Sequence, residues 1–101
     1  MNILTMQPVA NQVSGLLKSI SSPKRLLILC QLTEGERCVG DLSSALSISQ
    51  AATSQQLGIL RREGIVTTRR DGQVVYYSIT DQNVLAIMEL LYQRYCSPAL
   101  N

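Results

Sequence analysis

The sequence predicts a mainly α-helical domain carrying one small β-hairpin, in the order ααααββα. Three observations lead there. Apolar residues recur at helical spacing through most of the chain, between recognisable start and stop residues. One stretch, residues 65–77, changes instead to β-forming residues on both sides of a turn signal. Immediately before it, Ser49 to Gly64 reads as a short capped helix with one apolar stripe and an outer face of small, amide-bearing and cationic residues.

From the N-terminus, Met1 to Gln7 carry no period, and Pro8 is tolerable where a helix begins. Val9, Val13, Leu16, Leu17 and Ile20 then form an apolar stripe on a first helix that ends at Ser21. Ser22-Pro23 is a strong start signal, a capping hydroxyl followed by a residue whose missing amide needs no partner. The second helix is apolar nearly all round, at Leu26, Leu27, Ile28, Leu29, Cys30 and Leu32, which predicts a central place in the core, and Gly35 closes it. A link from Glu36 to Val39 leads to a third helix over Gly40 to Ser47, with Leu42, Ala45 and Leu46 inward.

The fourth helix is the Ser49 to Gly64 stretch. The Ser49 hydroxyl can accept from an orphan amide of the first turn, and Gly64 suits the left-handed position past the end. Thr53, Leu57 and Leu60 share the inward stripe, while Ala51, Gln55, Gly58 and Arg62 face out. Two short helices joined by a tight turn, the second polar outside, make a helix-turn-helix. Ile65 to Thr68, the turn signal Asp71-Gly72 and Val74 to Tyr77 complete a hairpin with Arg69 and Arg70 near its tip, which makes the whole a winged helix-turn-helix. Tyr76 and Tyr77 alternate along the second strand, so one faces inward and the other outward. Asp81 caps a last helix with a stripe of Val84, Met88, Leu91, Tyr92 and Tyr95, running to Cys96 and ended by Pro98. The first and last helices carry more apolar surface than so small a domain can bury. They are therefore expected to form a two-fold dimer, which would hold two copies of the fourth helix about 34 Å apart, one turn of B-DNA, over a palindromic site.

At 101 residues and 46% apolar composition, residues 1–101 suffice for a single folded domain with a packed core. The net charge of +2 is too small to argue for a nucleic-acid partner, so its distribution matters more: Arg61, Arg62, Arg69 and Arg70 crowd one region. With no histidine, Ser/His and Cys/His catalysis is impossible, and no catalytic residue, cofactor or enzyme activity is expected. Three widely spaced cysteines do not form a secreted disulfide framework. The chain has no run able to span a bilayer and no signal-peptide pattern, so a cytoplasmic protein without a membrane partner is expected.

The motifs SSPKRLLILC, VGDLSSALSISQAATSQQLGILRREGIV and RRDGQVVYYSI, in that order and spacing, resemble the ArsR/SmtB family of dimeric winged-helix repressors. The resemblance implies a homodimer that binds a palindromic double-stranded DNA operator and releases it when an inducer binds. It places Ser49, Gln50, Ser54, Gln55 and Gln56 at or near DNA on the fourth helix, and Arg69, Arg70 and Gln73 in the wing. Gln is suited to a base edge and Arg to phosphate or guanine. Many relatives have histidine where Gln55 or Gln56 stands.

Metalloid-sensing members carry a CVCD motif at the third helix. Here Cys38-Val39-Gly40-Asp41 keeps the first cysteine and loses the second. Zinc and nickel sensors of the family use histidines and carboxylates on the last helix, where this chain offers Asp81 and Glu89 but no histidine, so no metal site is expected; a metal or metalloid response through Cys38, or through Cys30 and Cys96, is the alternative. Cys30 and Cys96 instead resemble the paired thiols of the family's persulfide- and redox-responsive subgroup, which implies a dithiol bridged by reactive sulfur species or oxidants. Read alone, Cys30 also fits a small buried hydrophobe and Cys96 a surface thiol at a frayed end. Cys38, beside Arg37 at a helix start, reads as a poor N-cap or a reactive thiol. The rival from another class is a winged helix used only as a protein-interaction module.

Overall fold

The helices begin where side-chain oxygens meet orphan amides. Ser22, Ser49 and Asp81 accept from the backbone N–H of Arg25, of Ala52, and of Asn83 and Val84, starting three of the main helices. The structure, a computed structural model, describes residues 1–96. It contains α1 (Ile3–Met6), a 3₁₀ turn (Gln7–Val9), α2 (Ala10–Ile20), α3 (Pro23–Leu32), β1 (Arg37–Cys38), α4 (Val39–Leu46), α5 (Gln50–Arg62), β2 (Val66–Asp71), β3 (Val74–Ile79) and α6 (Gln82–Tyr95). The strands form one antiparallel sheet in the order β1-β3-β2, and the fold is the expected winged helix-turn-helix.

Several local expectations are corrected. The first residues are helical, because the Asn2 side chain accepts from Leu4 N–H and caps α1, and the Pro8 region is a 3₁₀ turn before α2. The Glu36 to Val39 link contains β1, which pairs Arg37 with Tyr77 and Cys38 with Tyr76 along the free edge of β3. Two residues are too few to show a period, and the edge supplies the hydrogen-bonding reason for the strand. Ala45 is exposed and Ser43 is buried in its place, its hydroxyl donating to the Gly40 carbonyl at 3.1 Å. The hairpin loop is Gly72-Gln73, one residue later than expected, with Asp71 paired to Val74. Gly72 has φ +63° and Gln73 is not left-handed, the pattern of a type II′ turn. The expected helix stop at Pro98 lies outside the described residues.

Ile28, Leu29 and Leu32 of α3 meet Leu42, Leu57, Leu60, Ile65, Val66, Val84 and Met88 in one core. Thr53 is buried beside Leu57 and Leu60, and its hydroxyl is satisfied by donating to the Ser49 carbonyl at 2.9 Å. α3 is central as expected, although Leu27 is turned out to solvent.

The N-terminal helices behave differently. Only Ile20 of α2 is buried, while Leu4, Met6, Val9, Val13 and Leu17 stand exposed. At the other end of the chain Leu90, Tyr92 and Tyr95 of α6 are exposed too. The Cα radius of gyration is 15.0 Å, against about 13 Å for a compact chain of this length. The apolar stripe expected on the first helix is present, and within the chain it is mostly uncovered. Among the described residues, no helix is long and apolar enough to cross a membrane.

Candidate nucleic-acid interface and thiol groove

The α4-turn-α5 unit is fixed by its backbone before any ligand is considered. Ser47 adopts the left-handed conformation at φ +56°, and the Ser47 and Ile48 amides close onto the last turn of α4. Ser49 then starts α5, its hydroxyl accepting from Ala52 N–H at 3.0 Å. With Thr53, Leu57 and Leu60 locked in the core, the opposite face is forced outward. Gln50, Ser54 and Gln55 are exposed there. A Cβ added at Gly58 would meet nothing within 4 Å, so packing within the chain does not require a glycine on that face.

The expected reading residues fall into two groups. Ser49 is exposed, though its hydroxyl is engaged as the cap. Gln56, next to the exposed Gln55, is half-buried, and its Oε1 accepts from Arg25 Nη1 at 2.9 Å. The same guanidinium donates through Nε to the Ser19 carbonyl at 2.8 Å. Arg25, which had no assigned role in the sequence, therefore joins the end of α2 to α5.

The wing divides in the same way. Arg69 and Arg70 point to opposite sides of β2 because strand side chains alternate. Arg69 turns back on the protein. Its Nε donates to Glu36 Oε2 at 3.1 Å, its Nη2 donates to Glu36 Oε1, and its guanidinium lies 4.9 Å from the Tyr76 ring centroid. Arg70 is exposed with no ion-pair partner among the described residues, as are Arg61 and Arg62, and Gln73 is exposed at the hairpin tip. Tyr77 packs against the core, so the expected inward and outward tyrosines are Tyr77 and Tyr76.

The hydrogen bond from Arg69 holds the Glu36 carboxyl below its ordinary value of 4.5, with the guanidinium charge adding to it and partial desolvation opposing it. A depressed carboxyl adds stability that is present above the unfolded value and lost as pH falls through the folded one. The melting temperature of the wild type should thus fall more steeply on acidification below about pH 4.5 than that of Glu36→Gln, since every other carboxylate is common to both. Parallel falls would mean the pair contributes nothing measurable.

The three thiols are free among the described residues. Half-buried Cys30 of α3 and exposed Cys96 at the end of α6 line one groove of about 770 Å³, with Leu26, Leu27, Met88 and Tyr92 on its walls. Cys38 is not on this groove. It occupies the N-cap position of α4, where its side chain makes no capping hydrogen bond. No cluster of three His, Cys, Asp or Glu side chains able to hold a metal ion occurs among the described residues.

Comparison with known proteins fits this geometry. Residues 22–68, from the α3 cap through the helix-turn-helix into β2, match the bacterial regulatory protein, arsR family. Over 96 residues the chain is 44% identical to the transcriptional activator HlyU of Vibrio cholerae, covering 95% of this chain and 89% of that protein. It is 42% identical over 92 residues to a biofilm growth-associated repressor of Xylella fastidiosa, covering 91% of this chain and 81% of that one. The crystal structure of the transcriptional repressor BigR from Xylella fastidiosa superposes with a TM-score of 0.89 at 41% identity, over 96% of this chain and 99% of that one. These relatives are transcription regulators and not enzymes. Matched through its helix-turn-helix and aligned along nearly its whole length, the chain belongs to the arsR family of bacterial regulatory proteins, as a transcriptional regulator related to HlyU and BigR.

Proposed function

We propose that the chain is a homodimeric, cytoplasmic, DNA-binding transcription regulator, a repressor, whose hold on a palindromic operator is switched at the Cys30 and Cys96 thiols by reactive sulfur species or oxidants. The observation that carries the DNA reading is the outward face of α5, exposed and polar at Gln50, Ser54 and Gln55, together with Arg70 of the wing, exposed with no ion-pair partner among the described residues. A major groove admits such a helix, the amides meeting base edges while the cations meet phosphate. The exposed apolar residues of α1, α2 and α6 support the dimer.

The shared groove supports the switch. A thiolate attacks the sulfane sulfur of a hydropolysulfide, forming a persulfide on one cysteine and releasing the shortened polysulfide. The second thiolate attacks the protein-bound sulfur of that persulfide, forming the disulfide and expelling hydrosulfide, so the two thiols are oxidised and one sulfane sulfur is reduced. The bridge fastens α3 to α6 and so biases how the two subunits sit against each other.

Arg70→Ala should weaken operator binding in a duplex titration and flatten the dependence of log affinity on log salt by about 0.9 for each phosphate left unneutralised. Arg69→Ala should move that slope less, because its guanidinium is engaged by Glu36. An unchanged affinity and slope in Arg70→Ala would remove the wing from the DNA.

A further inference from the structure

Gln55 and Gln56 are adjacent, identical in chemistry and both placed at or near DNA by the family resemblance, yet the fold treats them oppositely. A bidentate contact to adenine requires the oxygen and the nitrogen of one amide to be aimed together at a base edge. Gln55 is exposed and free to do this. The Oε1 of Gln56 accepts from the Arg25 guanidinium at 2.9 Å, on a half-buried side chain turned toward α3. A hydrogen bond from an ionised donor is roughly twice as strong as a neutral one.

Arg25 is itself held at two further points. Its Nε donates to the Ser19 carbonyl at 2.8 Å, near the end of α2, where the chain turns into α3. Its backbone N–H donates to the capping hydroxyl of Ser22 at 3.3 Å, so its Cα is fixed in the first turn of α3. A guanidinium suits this place because its planar fork serves two acceptors in different directions, which a lysine ammonium does not do with the same geometry.

We propose that Arg25 is a positioning residue for DNA specificity: it withdraws Gln56 from the groove-reading set, so that α5 reads bases with Gln55 and its exposed neighbours. This inference rests on the DNA-binding reading above. With Gln56 tied back, its truncation costs little in base choice, whereas truncating Gln55 removes a reader. Releasing Gln56 by removing Arg25 adds a reader that the wild type does not use.

The test is selection of preferred sites from a randomised palindromic duplex library by the full chain. Gln55→Ala should lose about 5- to 150-fold discrimination at one position of each half-site, the range for one good bidentate contact. Gln56→Ala should keep the wild-type preference. Arg25→Ala should acquire a changed preference at one position of each half-site, and Arg25→Ala/Gln56→Ala should return to the wild-type pattern, a reversal that mere loosening of the fold does not produce. The salt slope should stay unchanged in Arg25→Ala, since this arginine is not on phosphate. If Arg25→Ala does not fold, Gln56→Ala alone decides. A base preference altered in Gln56→Ala as strongly as in Gln55→Ala, or an unaltered one in folded Arg25→Ala, overturns the proposal while leaving DNA binding standing. Failure of the wild type to bind any duplex overturns both.

Discussion

Replacing either Cys30 or Cys96 by serine is expected to leave operator affinity intact under reducing conditions and to abolish release by polysulfide. Serine keeps the size and removes the nucleophile, and a reversible bridge needs both thiols. In the wild type, polysulfide should lower affinity by about 5- to 150-fold, the usual span of coupling between two sites. Each single variant should show none of that fall in a mobility-shift titration. Peptide mass analysis of the treated wild type should find the segments carrying Cys30 and Cys96 joined. The common groove favours this chemistry for these two sulfurs and not for Cys38, which lies off it at the start of α4. Variants that still release DNA normally would sink the dithiol switch while leaving DNA binding and the family assignment untouched.

The second large effect concerns assembly. Val13 and Leu17 stand exposed on α2, outside the buried core and the residues packed against it. Val13→Asp/Leu17→Asp should therefore keep its helical circular dichroism, run as a monomer by light scattering, and bind a palindromic operator about 10²- to 10⁴-fold more weakly, because the second half-site is no longer engaged intramolecularly. Retained dimer mass and retained affinity would place the interface on other surfaces. A fall in mass without a fall in affinity would mean that one subunit suffices for the site. The two sets of substitutions fall on different surfaces, since the aspartates lie on α2 and the thiol groove is lined from α3 and α6.

Much of the fold was legible because its causes are local. Ser22, Ser49 and Asp81 announce helix starts through an oxygen that bonds an amide two or three residues on. Thr53, Leu57 and Leu60 announce a buried stripe through spacing alone, and all three are buried. β1 was not legible, because its two residues are a strand only by virtue of the unfilled edge of β3, far along the chain. The outward place of Ala45 is hidden for a related reason: a short helix with few apolar residues does not announce which of its small side chains packs inward, and here it is Ser43.

The candidate interface shows the same division at the scale of single side chains. Residue type and order sufficed to make α5 a capped, polar-faced helix followed by a basic hairpin, since capping, periodicity and turn chemistry act over a few residues. Helical spacing sets Gln55 outward, but residue type and order could not show that Gln56 is held by Arg25, or that Arg69 and not Arg70 is held by Glu36. Neighbours in sequence diverge by about 100° around a helix or to opposite faces of a strand, and what each then meets depends on remote chain. Arg25 captures Gln56 and Glu36 captures Arg69 only because α3 and the approach to β1 are folded against α5 and the wing. Likewise, the number and order of the cysteines are written in the chain, but a common groove for Cys30 and Cys96 exists only once α6 has packed beside α3.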